Sequence, residues 1–156
     1  MKHLLLLGGG HSHVEVLRRF GQHSPGYVRL TLVSPDRYTP YSGMLPGYVA
    51  GHYGFHDCHI DLDRVTAYAG ARFLRTAARS IDPARRQVAL DDGTTIDYDC
   101  VSIDIGSVPA AAAVPGAAAH TIAVKPVAAF LRHWDALVDR ARAGRLRRVA
   151  VVGGGA

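Results

Sequence analysis

The residues best suited to chemistry are three consecutive glycines, Gly8, Gly9 and Gly10, near the start of the chain. Glycine lets the backbone turn tightly and lets amide groups approach a ligand with no Cβ in the way. His11 and Ser12 follow and open a segment with helical spacing. A helix N-terminus offers free N–H groups and partial positive charge to a phosphate. The pattern predicts a phosphate-binding turn, and the alternative is a tight strand-to-helix turn without a ligand.

The segments on both sides of the glycines predict a strand, a helix and a second strand in succession. Residues 3–7 are apolar without alternation, which is typical of a strand buried on both faces. Apolar residues recur at helical spacing from Ser12, and Gly21 is predicted to end that helix. The β-branched run at 28–33 predicts the second strand. Together these segments form a βαβ unit.

This unit matches the first two glycines of the dinucleotide fingerprint G-x-G-x-x-G, with two departures. His13 stands at the third glycine position, so the close approach of helix and strand must be achieved in another way. Ser34 stands near the place where an acidic residue usually binds ribose hydroxyls, and Pro35 and Asp36 follow it. Serine can still donate a hydrogen bond to a ribose. We therefore expect these three residues to line the dinucleotide site.

The rest of the chain predicts shorter elements. Residues 36–57 are predicted to form a long ordered loop with at most short helical turns, and a short helix capped by Asp61 follows it. Strand pieces are expected within 72–90, the Asp-Gly pair 92–93 predicts a hairpin turn, and a buried strand is expected from 100 to a turn at Gly106. The remaining predicted elements are an alanine-rich linker at 110–120, a helix from 127 to Gly144, and a strand at 147–152.

Composition describes a folded domain and excludes several classes. The chain has 156 residues, 48% of them hydrophobic, and a net charge of +5. The basic stretches at 79–86 and 140–148 lack the interleaved aromatic residues that stack on bases, so no nucleic-acid partner is predicted. No apolar run approaches the ~20 residues of a transmembrane segment. Cys58 and Cys100 form neither a disulfide framework nor a CxxC pair, which favours a reducing cytoplasm.

Metal-ligand residue types cluster at His52, His56, Cys58 and His59. Their spacing fits none of the usual structural zinc patterns, and histidines in loops are usually hydrogen-bonded or exposed. No metal site is therefore predicted.

The chain contains two stretches, "LLLLGGGHSHVEVLRRF" and "LTLVSPDRYTPYSGMLPGYVAGHY". They resemble the N-terminal portion of proteins of the FAD-dependent pyridine nucleotide-disulfide oxidoreductase superfamily, and within it of the type II NADH dehydrogenase-like proteins. They look closest to the flavoprotein module fused to selenide, water dikinase in some bacteria. The resemblance implies an α/β fold: a Rossmann-like FAD-binding βαβ core with a parallel sheet and an added antiparallel β-hairpin, incomplete in this chain. Residues 1–124 would be the N-terminal part of the FAD-binding domain. Residues 125–156 would be a linking helix and the first strand of a truncated NAD(P)H-binding domain.

The resemblance also implies roles for the glycine turn. Gly8, Gly9 and Gly10 would hold the FAD pyrophosphate, with His11 and Ser12 beside them in the cofactor site. Ser34 would face the adenosine ribose. The loop at 40–46 would pass near the FAD.

A second FAD signature of the superfamily usually ends in Ala-Thr-Gly. It matches "SIDIGS" with Gly106 in place and with Asp104 and Ile105 at the two preceding positions. Lys125 is a candidate for a contact near the flavin, and the alternative is a solvated lysine before a proline.

For the full-length protein the resemblance implies hydride transfer from NAD(P)H to FAD and then electron transfer to an unknown acceptor. No catalytic residue is assigned. The dithiol members of the superfamily need two closely spaced cysteines, and Cys58 and Cys100 do not match that pattern. The alternative function is a non-catalytic dinucleotide-binding or regulatory module attached to selenide, water dikinase.

A second glycine motif begins at Gly153 and Gly155, and the chain stops before its third position. This pattern is typical of a truncated fragment, for which we expect little bound FAD and no NADH oxidation. A sheet edge left unpaired in such a fragment could pair with a second copy, so a homodimer through that edge is a further expectation.

Overall fold

The computed structural model describes residues 1–107 and 114–153. These fall into two units, Met1–Gly106 and Ser107–Ala156. Part of the predicted linker, at 110–113, and Gly155 lie outside the described residues. The assignment of 1–124 and 125–156 to two dinucleotide-binding domains stays a prediction.

The first unit contains most of the regular structure. Its strands are β1 (Lys2–Leu7), β2 (Val28–Val33), β3 (Tyr38–Pro40), β4 (His59–Asp61), β5 (Arg72–Leu74), β6 (Ala78–Asp82), β7 (Gln87–Leu90), β8 (Thr95–Asp97) and β9 (Cys100–Ile103). Its helices are α1 (His11–Gln22), α2 (Leu45–Val49), α3 (Phe55–Cys58) and α4 (Leu62–Tyr68), with a 3-10 turn at Ser42–Met44. The second unit contains α5 (Ala117–His120) and α6 (Val127–Arg142).

A four-stranded sheet in the order β5-β2-β1-β9 forms the centre of the first unit, and all of its pairs are parallel. The leucines of β1 alternate between two cores. Leu6 packs with Leu17 of α1 and Leu62 of α4, whereas Leu5 and Leu7 pack on the opposite face of the sheet. A strand covered on both faces needs apolar residues at every position. The predicted α/β class with a Rossmann-like βαβ core and parallel sheet is confirmed.

The predicted hairpin is confirmed and is part of a three-stranded antiparallel sheet in the order β6-β7-β8. In its turn Gly93 has φ +85°, and the Asp92 carboxylate accepts hydrogen bonds from the backbone and hydroxyl groups of Thr94. Val88 and Leu90 of β7 are buried against the central sheet. The predicted loop at 36–57 contains short helices as expected, and also strand β3, which pairs antiparallel with β4.

Gly21 does not end α1, and this prediction is wrong. The helix continues to Gln22. A Cβ at Gly21 would overlap the ring of Tyr68, at the end of α4. The glycine therefore permits close packing of the two helices, which is a tertiary requirement that the helical spacing does not reveal.

Two predicted strands differ from the structure. β9 was expected to be buried, but it lies at a sheet edge and pairs only with β1 among the described residues, so Cys100 and Ile103 are exposed. Residues 147–152 form no strand, and Val151 is 88% exposed. A parallel strand needs a neighbouring strand for its backbone hydrogen bonds. The described part of the chain supplies none to these residues.

The two predicted helices of the later chain are confirmed. α4 is capped by Asp61, whose carboxylate accepts from the amides of Asp63 and Arg64. α6 follows Pro126 and ends before Gly144, which has φ +70°. The start of α4 and the end of α6 thus depend on residues that are local in sequence, a side-chain cap and a left-handed glycine.

A buried histidine in β1 makes the first unit sensitive to acid. His3 is 6% exposed, and its Nε2 lies 2.9 Å from Thr31 Oγ1. Its Nδ1 lies 2.7 Å from the Asp97 carbonyl and 2.9 Å from the guanidinium of Arg29. One nitrogen cannot donate to the first and accept from the second at once. We assign the proton to Nδ1 because the contact with the carbonyl is shorter.

Burial lowers the pKa of His3 below 6.5, and the nearby Arg29 adds to this effect against the raising influence of the Asp97 carbonyl and of Asp99. Below pH 6.5 the unfolded chain therefore binds more protons than the folded chain, so stability falls as the pH falls from 6.5 towards the lowered pKa. We expect the wild-type chain to lose stability between pH 7.5 and pH 5.5, measured as the urea midpoint. His3→Gln should lower the midpoint at pH 7.5 but flatten this pH dependence. An equal pH dependence in both proteins would contradict the assignment to His3.

Candidate functional site: a glycine turn at the sheet edge

Three parallel strands end at one edge of the central sheet, and their next residues meet there. The Gly8 amide, after β1, donates to the Val33 carbonyl of β2 at 2.8 Å. The Asp104 amide, after β9, donates to the Leu7 carbonyl at 2.8 Å. Ligands of open α/β sheets bind at this carboxyl edge. The edge brings together Gly8, Ser34 and Asp104 from distant parts of the sequence.

The glycine turn joins β1 directly to α1, as predicted. Gly8 has φ +94°, a left-handed conformation that favours glycine. Gly10 is the N-cap of α1, and its carbonyl accepts the first helical hydrogen bond, from Val14, at 3.0 Å. The helix therefore begins at the turn, and the amides of its first turn, which have no partner within the helix, lie at this edge of the sheet.

Each glycine has a neighbour that excludes a side chain. A Cβ at Gly8 would overlap the Asp104 carbonyl group and Ile105 Cα, and a Cβ at Gly10 would overlap the Asp104 carboxylate. A Cβ at Gly9 would contact the side chain of Leu62 and lie 3.3 Å from Ser34 Oγ. The segment after β9 thus packs directly on the turn. This packing accounts for the glycines even without a ligand.

The Asp104 carboxylate is bound at the N-terminus of α1. Its Oδ2 accepts from the Ser12 amide at 3.0 Å and from the His13 amide at 3.4 Å. Because the first turn of α1 contains no acidic residue of its own, Asp104 supplies the negative charge that a helix N-terminus favours. Among the residues that the structure describes, the amides of Gly9 and His11 donate to no protein acceptor. These two amides remain free for an anionic ligand.

His13 explains how the fold manages without the third fingerprint glycine. Its side chain is 1% exposed. Nδ1 lies 2.7 Å from the Gly8 carbonyl and Nε2 lies 2.9 Å from Ser102 Oγ. A ring that donates from Nδ1 to the carbonyl and accepts at Nε2 from the hydroxyl satisfies both partners. The imidazole thus connects α1 to the end of β1 and to β9, and no helix-to-strand contact through a glycine is needed.

His11 connects the turn to the loop that follows β2. Its Nε2–H donates to the Pro40 carbonyl at 3.1 Å, and its ring packs edge-on against Tyr41 with a centroid distance of 4.9 Å. The start of the 40–46 loop therefore lies beside the glycine turn. The proximity of this loop to a bound FAD stays a prediction.

The other predicted site residues differ in burial and in the unit to which they belong. Ser34 is buried, and its amide donates to the Leu74 carbonyl at 3.1 Å, whereas Pro35 and Asp36 are exposed. Gly106 follows β9, has φ +80° and is exposed, and the turn predicted there stays a prediction. Lys125 belongs to the second unit, where its Nζ donates to Ser107 Oγ at 3.3 Å.

The histidine-rich segment forms a separate aromatic cluster. His59 stacks on Phe55 at 3.8 Å, and the Cys58 thiol is buried, which raises its pKa. A cavity of about 470 Å³ lies beside this cluster; its lining residues are Tyr38, His56, His59, Asp61, Arg64 and Val65. Hydrogen bonds from Arg37 hold the pKa of the Asp61 carboxyl below its usual range. No group of three metal-ligating side chains occurs within residues 1–107 and 114–153.

Asp104 is the residue whose role the sequence reasoning missed. It was noted only as a mismatch in the Ala-Thr-Gly signature. The useful signal was that a third parallel strand must place its next residues at the same edge as the glycine turn. An acidic residue at that point can reach the free amides of the first helix.

A family model described as pyridine nucleotide-disulphide oxidoreductase matches residues 2–156. The chain belongs to this family.

Within the described residues, no helix has both the length and the apolar character needed to cross a membrane.

Individual relatives agree with this assignment. The chain is 28% identical over 155 residues to a probable ferredoxin reductase, CtmF, from Castellaniella defragrans, covering 97% of this chain and 36% of that protein. Its fold is similar to that of the sulfide:quinone oxidoreductase of Aquifex aeolicus, with a TM-score of 0.72 and 21% identity over 91% of this chain and 33% of that one. It is also similar to NDH2 from Plasmodium falciparum in complex with NADH, with a TM-score of 0.75 and 16% identity over 96% of this chain and 31% of that one. This chain spans about a third of the length of these relatives.

Proposed function

We propose that this chain is the FAD-binding portion of an NAD(P)H-dependent flavoprotein oxidoreductase. The observation that carries the proposal is the glycine turn, which leads into α1 at the carboxyl edge of a parallel sheet and leaves the Gly9 and His11 amides free. Membership of the pyridine nucleotide-disulphide oxidoreductase family supports it. A structural relative that binds NADH supports NAD(P)H as the reductant.

The residues of the turn fit a diphosphate through backbone groups. The amides of Gly9 and His11 would donate to the phosphate oxygens, and the N-terminus of α1 would add favourable charge. Ser34 Oγ lies close to Gly9 and is the candidate hydroxyl for a ribose, with Pro35 and Asp36 at the exposed rim. The Asp104 carboxylate, which lies at the turn, opposes an anion.

When bound, FAD supplies the acceptor for the hydride that NAD(P)H donates. The contribution of this chain is to bind and orient. The buried His13 fixes α1 against β9, and the contact of His11 with the Pro40 carbonyl holds the following loop beside the turn. Gly106 gives the segment after β9 a left-handed backbone conformation. Lys125 remains a proposed contact near the flavin, supported only by the resemblance.

FAD binding at the turn can be tested with a charge placed at its mouth. Ser12 is exposed at the second position of α1, where aspartate is compatible with the helix. We expect Ser12→Asp to weaken FAD binding by about tenfold or more through repulsion of the diphosphate. Ser12→Asn, which adds similar bulk without charge, should stay within about threefold of wild type. Equilibrium dialysis measures both.

Riboflavin provides the ligand control for this experiment, because it contains the flavin ring without the diphosphate. Wild-type chain should bind FAD more tightly than riboflavin, and Ser12→Asp should leave riboflavin binding unchanged. Equal binding of FAD by all three proteins, or no preference for FAD over riboflavin, would contradict the proposal.

The alternative function is a dinucleotide-binding or regulatory module, without turnover, attached to a selenide, water dikinase. Its support is the resemblance of the two quoted stretches. In the full-length protein, anaerobic NADH should bleach the flavin absorbance if the oxidoreductase proposal holds. An unchanged flavin spectrum would favour the regulatory module.

Three finer proposals accompany the main one. The isolated chain is proposed to bind FAD weakly, so that little remains after purification, and to lack NADH oxidation, on the ground that it spans about a third of the length of its relatives. A homodimer through the exposed edge strand β9 is supported by the exposure of Cys100 and Ile103. A cytoplasmic location is supported by the two free cysteines. The electron acceptor is unassigned.

A further inference from the structure

The N-terminus of α1 already holds an anion that belongs to the protein. Asp104 Oδ2 accepts from the amides of Ser12 and His13, at 3.0 and 3.4 Å. These are two of the amides that a phosphate group at a helix N-terminus uses. The chain therefore satisfies with a side chain two of the donors at the start of α1, and the neighbouring amides of Gly9 and His11 stay free.

The close approach of Asp104 is built into the turn. Its carbonyl accepts from the Gly10 amide at 3.2 Å. Only the missing Cβ of Gly10 leaves room for the carboxylate. Because Gly10 has no Cβ, the space that the carboxylate leaves is open to the first turn of α1.

Two anions cannot share this position. A carboxylate on the Ser12 and His13 amides and a diphosphate on the neighbouring Gly9 and His11 amides would repel each other strongly, because the turn is partly shielded from water. The carboxylate of Asp104 has room to move away from the turn. Asp104 itself is only half-buried, and the residues that follow it, Ile105 and Gly106, are exposed.

We infer that Asp104 is an internal competitor for the phosphate site, which caps α1 in the free protein and leaves when a diphosphate ligand binds. This inference rests on the proposed dinucleotide-binding function. It makes Asp104 a residue that sets affinity: the ligand must displace a charged cap, so it binds more weakly and exchanges more readily than it would at a neutral turn.

The test compares FAD affinity among variants that remove one negative charge at different places. Asp104→Asn keeps the size of the side chain and removes its charge. Asp91→Asn makes the same change in net charge in the β7–β8 turn, where the Asp91 side chain makes no hydrogen bond to another described residue. We expect Asp104→Asn to bind FAD on the order of tenfold more tightly than wild type. Asp91→Asn should match wild type.

Asp104→Ala is the second variant, because it removes the competing group altogether and keeps the comparison valid if the asparagine variant folds poorly. It should also bind FAD more tightly than wild type. Equal dissociation constants for wild type, Asp104→Asn and Asp104→Ala would overturn the inference and leave the proposed function standing.

A second readout separates the inference from the proposed function. Inorganic pyrophosphate is titrated into isotope-labelled protein, and the Ser12 and His13 amide resonances are followed by NMR. These resonances should shift at lower pyrophosphate concentration in Asp104→Asn than in wild type. If they do while no variant binds FAD, the competitor role holds and the FAD-binding function fails. If no concentration shifts them in any variant, the inference is overturned.

Discussion

Gly8→Ala is expected to lower the free energy of unfolding by about 3 kcal/mol, the sum of a left-handed backbone and a steric overlap. Gly8 has φ +94°, and its Cβ would overlap backbone atoms of Asp104 and Ile105 that cannot rotate away. Relief of the overlap would require β9 to shift from β1. Urea denaturation of the variant measures the loss.

Two other glycines separate the causes of this loss. Gly51 has φ +80° with open space around its Cβ position, so Gly51→Ala should cost only the backbone strain, about 1 kcal/mol. Gly26 has neither a positive φ nor a neighbour within 4 Å, so Gly26→Ala should change stability by less than about 1 kcal/mol in either direction. If Gly8→Ala costs no more than Gly51→Ala, the close packing of the segment after β9 is contradicted.

His13→Ala should also cost about 3 kcal/mol, because it removes a buried ring and two hydrogen bonds at once. The change leaves a cavity between α1 and β9 and deprives the Gly8 carbonyl and the Ser102 hydroxyl of their partner. The loss should appear as a lower urea midpoint and as faster hydrogen exchange in β9.

His52→Ala is the matched control for this variant. His52 is exposed, and its one recorded hydrogen bond comes from its backbone amide. The change should alter the free energy of unfolding by less than about 0.5 kcal/mol. A similar small effect for His13→Ala would show that the imidazole does not connect the helix to the sheet.

Much of the first unit was predictable because its signals are local. A strand covered on both faces reads as continuous leucines, a helix cap as Asp61, and a hairpin turn as an Asp-Gly pair. The resemblance to the pyridine nucleotide-disulfide oxidoreductase superfamily was also predictable from two quoted stretches, and the match over residues 2–156 confirms that superfamily. The narrower likeness to the module fused to selenide, water dikinase stays a prediction.

The errors arose where packing overrides local pattern. Gly21 reads as a helix stop, but its real constraint is the ring of Tyr68, 47 positions away in sequence. The apolar run at 147–152 reads as a strand, but strand formation also needs a neighbour, and backbone pairing is a property of the whole sheet. The prediction of a loop at 36–57 missed the strand β3, because its partner β4 comes only after the short helices at 45–58.

By itself the sequence determined that a glycine turn joins a buried strand to a helix, because glycine content and apolar spacing are properties of adjacent residues. The tertiary structure alone decided what occupies that turn. Only a parallel sheet brings Asp104 to the amides of Ser12 and His13, and only the packing of α1 on β9 makes His13 a structural substitute for glycine. The physical reason is that hydrogen bonds between strand ends depend on the order of strands in space, which spacing along the chain does not encode.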